Sequence, residues 1–253
     1  MTKTVTVNLE DILQQDLGYI TLLPDEIDVS GRVVDALTGE PVEGITLQLR
    51  DRYSGEDGDI IAQTKSDENG FYEMLNLETD EYRMQLVDER EEEENPYETQ
   101  SFDFKVVGET ESEAHDFFLS RPEYKREFDG NTYQLFGAGL LWEDAEKYCE
   151  QLGGYLVSVG SKEENEFLNE WFLEQGFQWA NIGYTDREEE GTWKWLSGEE
   201  PEYENWHRGE PNNGLSFIEN QNYAYMKKDG TWDDGRNVDL GAFFCEWESE
   251  EEE

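Results

Sequence analysis

The sequence predicts a mainly β fold that ends in an α+β domain. Over residues 28–120, short alternating apolar runs are separated by turn signals, which is typical of strands. Over residues 121–248, two amphipathic helix patterns precede a long loop-rich region and an apolar strand. All eight tryptophans and both cysteines lie after residue 140. This shift in composition indicates two domains with different cores.

The N-terminal part predicts a β-sandwich of about seven strands. Turn signals at residues 38–41, 57–58 and 69–70 separate the runs. The acidic stretch at residues 67–70 is a possible calcium loop, but its Asn-Gly pair favours a hairpin turn. The predicted strands are IDVSGRVVD, ITLQLRD, IIAQTK, FYEMLNL, YRMQLVD, SFDFKVV and HDFFLS.

Two longer stretches of this part, GRVVDALTGEPVEGITLQLRD and TKSDENGFYEMLNLETDEYRMQLV, carry a family resemblance. They resemble carboxypeptidase regulatory-like repeats and the related prealbumin-like or Ig-like β-sandwiches. The resemblance implies a module that spaces or displays another domain, with no catalysis. Residues 1–27 precede it, and their alternating start predicts a docking or assembly strand.

The C-terminal part begins with two predicted helices. The first spans Gly139 to Leu152 and is stopped by Gly153-Gly154, and its apolar face comprises Leu141, Trp142, Ala145, Tyr148, Cys149 and Leu152. The second starts at Ser161, where Glu164 three residues on is typical of a capping box, and it ends at Gly176. The tail, residues 249–253, is acidic and predicted to be disordered.

Charge limits the possible partners. The chain has 63 acidic and 19 basic residues, for a net charge of −44. Such an excess is tolerated where salt screens repulsion, so adaptation to high salt and a very soluble surface protein are both open readings. Nucleic acid and anionic membranes are poor partners, because both bind basic surfaces. We expect no membrane insertion, and no signal peptide is visible in this numbering.

Residues 124–247 resemble a C-type lectin-like domain. LLWEDAEKYCEQLGGYLVSVGSKEENEFL resembles the two-helix start of that family, and ANIGYTD stands where the family has its W-I-G-L strand. GTWKWLSGEEPEYENWHRGEPNNG matches the family's long-loop pattern, and TWDDGRNVDLGAFFCEW resembles its W-N-D strand and closing cysteine. The predicted fold is therefore an Ig-like or prealbumin-like β-sandwich followed by a C-type lectin-like fold.

The resemblance implies a Ca²⁺ site. The family binds the ion with the Glu and Asn of E-P-N around a cis-proline, a later Glu, and the Asn and Asp of W-N-D. Six to eight such oxygens suit this cation. Here the implied ligands are Glu210, Asn212, Asp233 in place of Asn, Asp234, and either Gln221 or Glu219 at the later Glu position.

The same side chains would bind a sugar through two vicinal hydroxyls. Glu210 would accept hydrogen bonds and Asn212 would donate them, whereas Asp233 lacks the amide donor of the family's Asn. E-P-N implies a mannose-type hydroxyl pair. Trp206 and Tyr203 are candidates to stack on a sugar, although core packing is the favoured reading for Trp206.

The resemblance also implies a disulfide between Cys149 and Cys245, with two buried free thiols as the alternative. The family's second disulfide is absent, and Tyr223 and Asn237 stand near its positions. We expect its absence to loosen the long loop.

The resulting functional prediction is a calcium-dependent, mannose-type lectin displayed outside the cell, on a cell surface or on a virion. Its expected role is adhesion or surface recognition. The alternative is a structural subunit of an appendage, fibre or spike whose head binds a surface protein, with possible homo-oligomers. No enzyme is expected, because the histidines and cysteines form no nucleophile–base arrangement.

Overall fold

The computed structural model describes residues 27–52, 58–90, 97–107, 112–214, 220–237 and 241–248. Residues 1–26, which contain the predicted docking or assembly strand, lie outside the described residues. The acidic tail from residue 249 also lies outside them. Neither helix in the described part of the chain has the length and apolar character needed to cross a membrane.

Residues 27–119 form two four-stranded sheets that enclose one hydrophobic cluster. One sheet has the order β4-β1-β7, with β8 also paired to β1, and the other has the order β3-β2-β5-β6. The strands are β1 (Ile27–Asp35), β2 (Thr46–Asp51), β3 (Ile60–Lys65), β4 (Phe71–Leu77), β5 (Glu81–Val87), β6 (Gln100–Lys105), β7 (Ser112–Ala114) and β8 (Phe117–Leu119). The described residues of this part contain eight strands where about seven were predicted, because the short strand β7 precedes the last predicted run, HDFFLS, which contains β8. The resemblance of this sheet pair to Ig-like or prealbumin-like modules stays a prediction.

The acidic turn at residues 67–70 is a tight turn that joins β3 to β4. The prediction of a hairpin is wrong, because these two strands belong to different sheets and are not paired with each other. The carboxylate of Asp67 accepts hydrogen bonds from the backbone N–H groups of Asn69 (2.8 Å) and Phe71 (2.9 Å). Gly70 has a φ of 72°, which a side-chain-bearing residue rarely adopts. The Asp67 oxygen therefore satisfies the turn's own donors.

The C-terminal part is built on one larger sheet with the strand order β15-β14-β12-β16-β10-β9. Strand β16 lies between β10 and β12, so the last of the described strands is at the centre of the sheet. The elements are a 3-10 helix (Pro122–Tyr124), β9 (Lys125–Phe128), β10 (Asn131–Leu140), α1 (Trp142–Gln151), β11 (Tyr155–Leu156), α2 (Lys162–Glu174), β12 (Trp179–Thr185), β13 (Lys194–Trp195), β14 (Tyr223–Lys227), β15 (Trp232–Gly235) and β16 (Gly241–Trp247).

The predicted start of α2 is confirmed in its capping. The Ser161 hydroxyl accepts a hydrogen bond from the N–H of Glu164 at 3.1 Å. The Glu164 carboxylate reaches back to the N–H of Gly160, one residue before the cap, and accepts from the hydroxyl of Tyr133. The glutamate thereby ties the helix start to β10.

The two parts of the chain share a hydrophobic cluster. Ala36 and Phe118 from the N-terminal sheets pack with Phe136, Tyr148 and their neighbours. The Tyr148 hydroxyl donates to the carbonyl of Phe118 at 3.0 Å. At Gly137 a Cβ would lie only 2.0 Å from the Leu37 carbonyl oxygen, so this close backbone approach requires glycine.

Candidate functional site

The E-P-N loop is held against strand β15 by backbone hydrogen bonds. The N–H of Trp232 donates to Asn205, and the N–H of His207 donates to Trp232 at 2.7 Å. Three residues later the Glu210-Pro211 peptide bond is cis, as the family resemblance implied. Because Trp232 immediately precedes Asp233 and Asp234, this pairing brings the Glu210 carboxylate to the two aspartates.

Three carboxylates meet at this point. Glu210, Asp233 and Asp234 each offer an oxygen, and these oxygens all lie within 4.8 Å of one another. Burial raises the pKa of Glu210 to about 7, and the negative charges of Asp233 and Asp234 add to this shift. A bound cation would relieve the mutual repulsion of these carboxylates, which the positive charge of Lys227 relieves in part.

Asp234 organises the loop as well as contributing charge. It is 1% exposed, and its carboxylate accepts the N–H groups of Asn212 (2.9 Å) and Asn213 (2.7 Å). The side-chain oxygen of Asn212 in turn accepts the N–H of Gly214. The backbone after the cis-proline is thereby folded around one buried aspartate.

The sequence reasoning missed a second group of oxygens next to Asp234. Burial raises the pKa of Asp186, with a further contribution from the charge of Asp234. Burial also raises the pKa of Glu190, as do the nearby charges of Asp186 and Asp234, although a hydrogen bond from Asn213 opposes the shift. The signal was present as an Asp and a Glu four residues apart directly after β12.

Three buried oxygens in this region have no hydrogen-bond partner among the described residues: Glu210 Oε2, Asp186 Oδ1 and Asn222 Oδ1. The backbone N–H of Asp186 donates to the Asn222 carbonyl, which places these two residues side by side. Buried polar atoms are almost always satisfied. Unpaired carboxylate and amide oxygens are the ligands Ca²⁺ prefers, so the residues present fit that ion.

Two predicted ligands remain, Gln221 and Glu219, which are alternatives for one position. Gln221 lies at the loop's return, where its N–H donates to the side-chain oxygen of Asn213 at 2.8 Å. Glu219, the alternative at this position, lies outside the described residues. The Lys227 ammonium is 3.1 Å from Asp233 Oδ2, so a cation at Asp233 would have to share that carboxylate with it.

Trp206 belongs to an aromatic cluster. Its ring lies 4.7 Å from that of Trp193, 5.8 Å from that of Tyr184 and 6.0 Å from that of Trp232. Tyr203 also packs on Trp232, at 5.7 Å. These contacts agree with the core reading of Trp206, and a sugar contact for it stays a prediction.

Cys149 and Cys245 are fully buried free thiols in this structure. They are neighbours, since burial and a hydrogen bond with Cys245 raise the pKa of Cys149. Their proximity is compatible with a disulfide, and the disulfide stays a prediction.

A carboxylate stands where the resemblance implied a missing second disulfide. Glu143, in the first turn of α1, accepts from the Tyr223 hydroxyl at 2.6 Å and from the Asn237 amide at 2.9 Å. Its own N–H donates to Asn237. The expected loosening is thus opposed by a three-residue hydrogen-bonded clamp, which we call the Glu143 clamp.

Residues 139–247 match the family model described as the lectin C-type domain. The chain is 32% identical over 139 residues to asialoglycoprotein receptor 2 of Rattus norvegicus, covering 51% of this chain and 44% of the receptor. It thus spans less than half the length of that curated relative. The mouse scavenger receptor C-type lectin carbohydrate-recognition domain is 31% identical, with 52% of this chain and 100% of that chain covered and a TM-score of 0.48. The corresponding human domain is 30% identical, with 51% and 99% covered and a TM-score of 0.47.

Proposed function

Because residues 139–247 match the lectin C-type domain model, we propose that this protein binds a carbohydrate through a Ca²⁺ ion held beside the E-P-N loop. The observation that carries the proposal is the convergence of Glu210, Asp233 and Asp234 within 4.8 Å, together with the unpaired buried oxygen of Glu210. The similarity to two carbohydrate-recognition domains, which match over almost their full length, supports the same class of ligand.

In this proposal Glu210, Asn212, Asp233 and Asp234 hold the ion, and Gln221 or Glu219 completes its coordination. A bound Ca²⁺ would supply the positive centre that two vicinal sugar hydroxyls coordinate. Glu210 would accept a hydroxyl proton in a hydrogen bond and Asn212 would donate from its amide. We assign mannose-type specificity on the E-P-N pattern alone.

Asp186 and Glu190 lie near Asp234, and together with Asn213 and Asn222 they are candidates for a second cation. Asp234 accepts two backbone N–H groups of the loop, so a cation on either side would stabilise the loop in its present shape. The proposed setting is the outside of a cell or particle, where the lectin domain serves adhesion or recognition.

The proposal is tested by calorimetric titration of Ca²⁺ into chelator-treated full-length protein, followed by methyl mannoside. We expect saturable calcium heat, and then sugar heat that requires calcium. Asn212→Ala should abolish sugar binding, whereas Asn220→Ala, in the same loop but outside the proposed ligand set, should leave it intact. Calcium binding without sugar binding would overturn the lectin reading in favour of a protein-binding head, and an absence of calcium heat would overturn both parts.

A further inference from the structure

A second concave site lies next to the E-P-N loop's oxygen cluster, along strands β14 and β15, and no step of the proposed function uses it. Its lining residue Tyr225 is paired with Asp233 across these two strands. It has a volume of about 350 Å³, within the usual range of about 300–1,000 Å³ for small-molecule sites. Its floor is the face of the sheet formed by β12 and β14, where Trp179 is paired with Lys227 and Asn181 with Tyr225. We call this cavity the β12–β14 pocket.

Aromatic rings form the walls of the pocket. Trp179 and Tyr225 meet edge to face with their ring centres 5.7 Å apart. Trp142 and Tyr223 lie 4.7 Å apart on another side. At Gly235 a Cβ would come within 2.9 Å of the Tyr225 ring, so the absence of a side chain there leaves that ring accessible. Such walls suit the flat face of a ring-shaped ligand.

The charge of the pocket is opposite to that of the chain. Lys227, Lys228 and Arg236 line it, and its described lining contains no carboxylate. This is notable in a chain with 63 acidic and only 19 basic residues. Two acidic groups adjoin the lining, since Asp233 pairs with Lys227 and Glu143 accepts a hydrogen bond from the hydroxyl of Tyr223. Three cations around one apolar cavity favour an anionic ligand.

One buried donor in the pocket has no acceptor among the described residues. The amide nitrogen of Asn181 is unpaired, although the residue is only 5% exposed. The other polar groups nearby are engaged: the Trp142 indole N–H donates to the Ile182 carbonyl, and the Tyr223 hydroxyl donates to Glu143. A buried unpaired donor is costly unless something accepts its hydrogen bond.

We propose that the β12–β14 pocket binds a small ring-shaped anion, with its ring against Trp179 and Tyr225 and its carboxylate or sulfate toward Lys228 and Arg236. The Asn181 amide donates to an oxygen of that ligand. An aromatic acid and an acidic sugar both combine a ring with an anionic group, so both belong to this class of ligand. The site needs no calcium, and none of the proposed calcium ligands lines it, although Asp233 adjoins it through Lys227 and Tyr225.

The test uses calorimetry on the full chain in the presence of chelator, so that it is independent of any calcium site. The probes are indole-3-acetate with its neutral match indole-3-acetamide, and glucuronate with its neutral match glucose. We expect one acid to bind saturably at one site per chain, at least tenfold more tightly than its neutral match. Tighter binding of indole-3-acetate would identify the aromatic acid, and tighter binding of glucuronate the acidic sugar.

Variants locate the site. Lys228→Gln combined with Arg236→Gln should weaken binding of the favoured acid at least tenfold, which corresponds to about 1.4 kcal/mol. The control pair Lys162→Gln and Lys194→Gln removes the same charge from surface positions elsewhere and should change binding less than twofold. Asn181→Leu, which keeps a similar volume but removes the donor, should also weaken it.

The proposal is overturned if neither acid binds, if the neutral matches bind equally well, or if the two double variants lose affinity to the same extent. Melting curves establish that each variant is folded. Should the double variant unfold, the exposed single change Lys228→Gln gives the same comparison against Lys194→Gln.

Discussion

At the scale of single residues, buried carboxyl groups distinguish the core of the C-terminal part. Glu246 is 2% exposed on the central strand β16, and burial raises its pKa to about 7. The nearby charge of Glu164 adds to the shift, whereas hydrogen bonds from Ser158 and Asn131 oppose it. Folding therefore keeps a proton on Glu246 between pH 4.5 and about 7 that the unfolded chain releases.

This gives a pH dependence with a definite sign. Because the folded state binds more protons over this range, the contribution of Glu246 to stability falls as pH rises from about 4.5 to 7, by roughly 3 kcal/mol at most. Glu246→Gln, which resembles the protonated form, should flatten this slope and be relatively more stable at pH 8. Urea unfolding at pH 5, 6.5 and 8 measures the free energy of unfolding at each pH and therefore this slope. Glu170→Gln, an exposed change on α2, should keep the wild-type slope, and an unchanged slope in Glu246→Gln would contradict the assignment.

At the scale of elements, the Glu143 clamp connects α1 with the loop region. It reaches the first residue of β14 and the segment after β15, the two strands that border the oxygen cluster. Hydrogen bonds to a charged acceptor contribute about 1.5–3 kcal/mol each when they are well formed. The clamp therefore gives the loop a fixed attachment to the helix without a covalent bond.

We predict that Glu143→Ala lowers the free energy of unfolding by about 2–4 kcal/mol. It should also weaken calcium binding, because the start of β14 adjoins Gln221. Asp144→Ala is the matched control, since it removes the next carboxylate of the same helical turn, whose recorded ion pair is an exposed one with Lys147 at 3.6 Å. Thermal melts of both variants measure the change in stability, and calcium titrations measure the change in calcium affinity. If both variants lost stability and calcium affinity to the same extent, the cause would be the removal of a negative charge from the helix and not the loss of the clamp.

At the scale of the whole molecule, a buried polar network joins the two parts of the chain. Asp35 at the end of β1 is 2% exposed and accepts from the hydroxyls of Tyr97 and Tyr124. Arg121 lies 3.1 Å from the same carboxylate. Burial alone would raise the pKa of Asp35, but these hydroxyls and the N–H groups of Thr38 and Leu37 lower it overall. The network lies beside the hydrophobic cluster that both parts share.

We therefore predict one cooperative thermal transition for the whole chain. Asp35→Asn should lower its midpoint and broaden or split it, since breaking a buried ion pair costs about 3–5 kcal/mol. Differential scanning calorimetry measures this, with Asp28→Asn as a control on the same strand, where the carboxylate accepts the N–H of Asn76 at an exposed position. Two separate transitions in the unmutated protein would refute the coupling.

Several features followed from the sequence itself, because they depend on local periodicity and capping. The strands of the N-terminal part, the second helix with its Ser161 cap and the final apolar strand all lie close to where the pattern placed them. Glu210, Asp233 and Asp234 were chosen by resemblance to a known motif, and the structure brings them together. The first helix was predicted to start at Gly139, but β10 continues to Leu140 and the helix begins only at Trp142.

Other features arose only from tertiary structure, since they join residues far apart in the chain. The Glu143 clamp spans 80 residues or more, and sequence alone showed two missing cysteines there without the carboxylate that bridges their positions. The sequence alone did not indicate that Asp186 and Glu190 belong to the candidate site, because they come close to Asp234 only in the folded structure. The β12–β14 pocket likewise depends on strand register, which places Trp179 opposite Lys227 and Asn181 opposite Tyr225. Local patterns determine which residues face inward, but long-range pairing decides which of them meet.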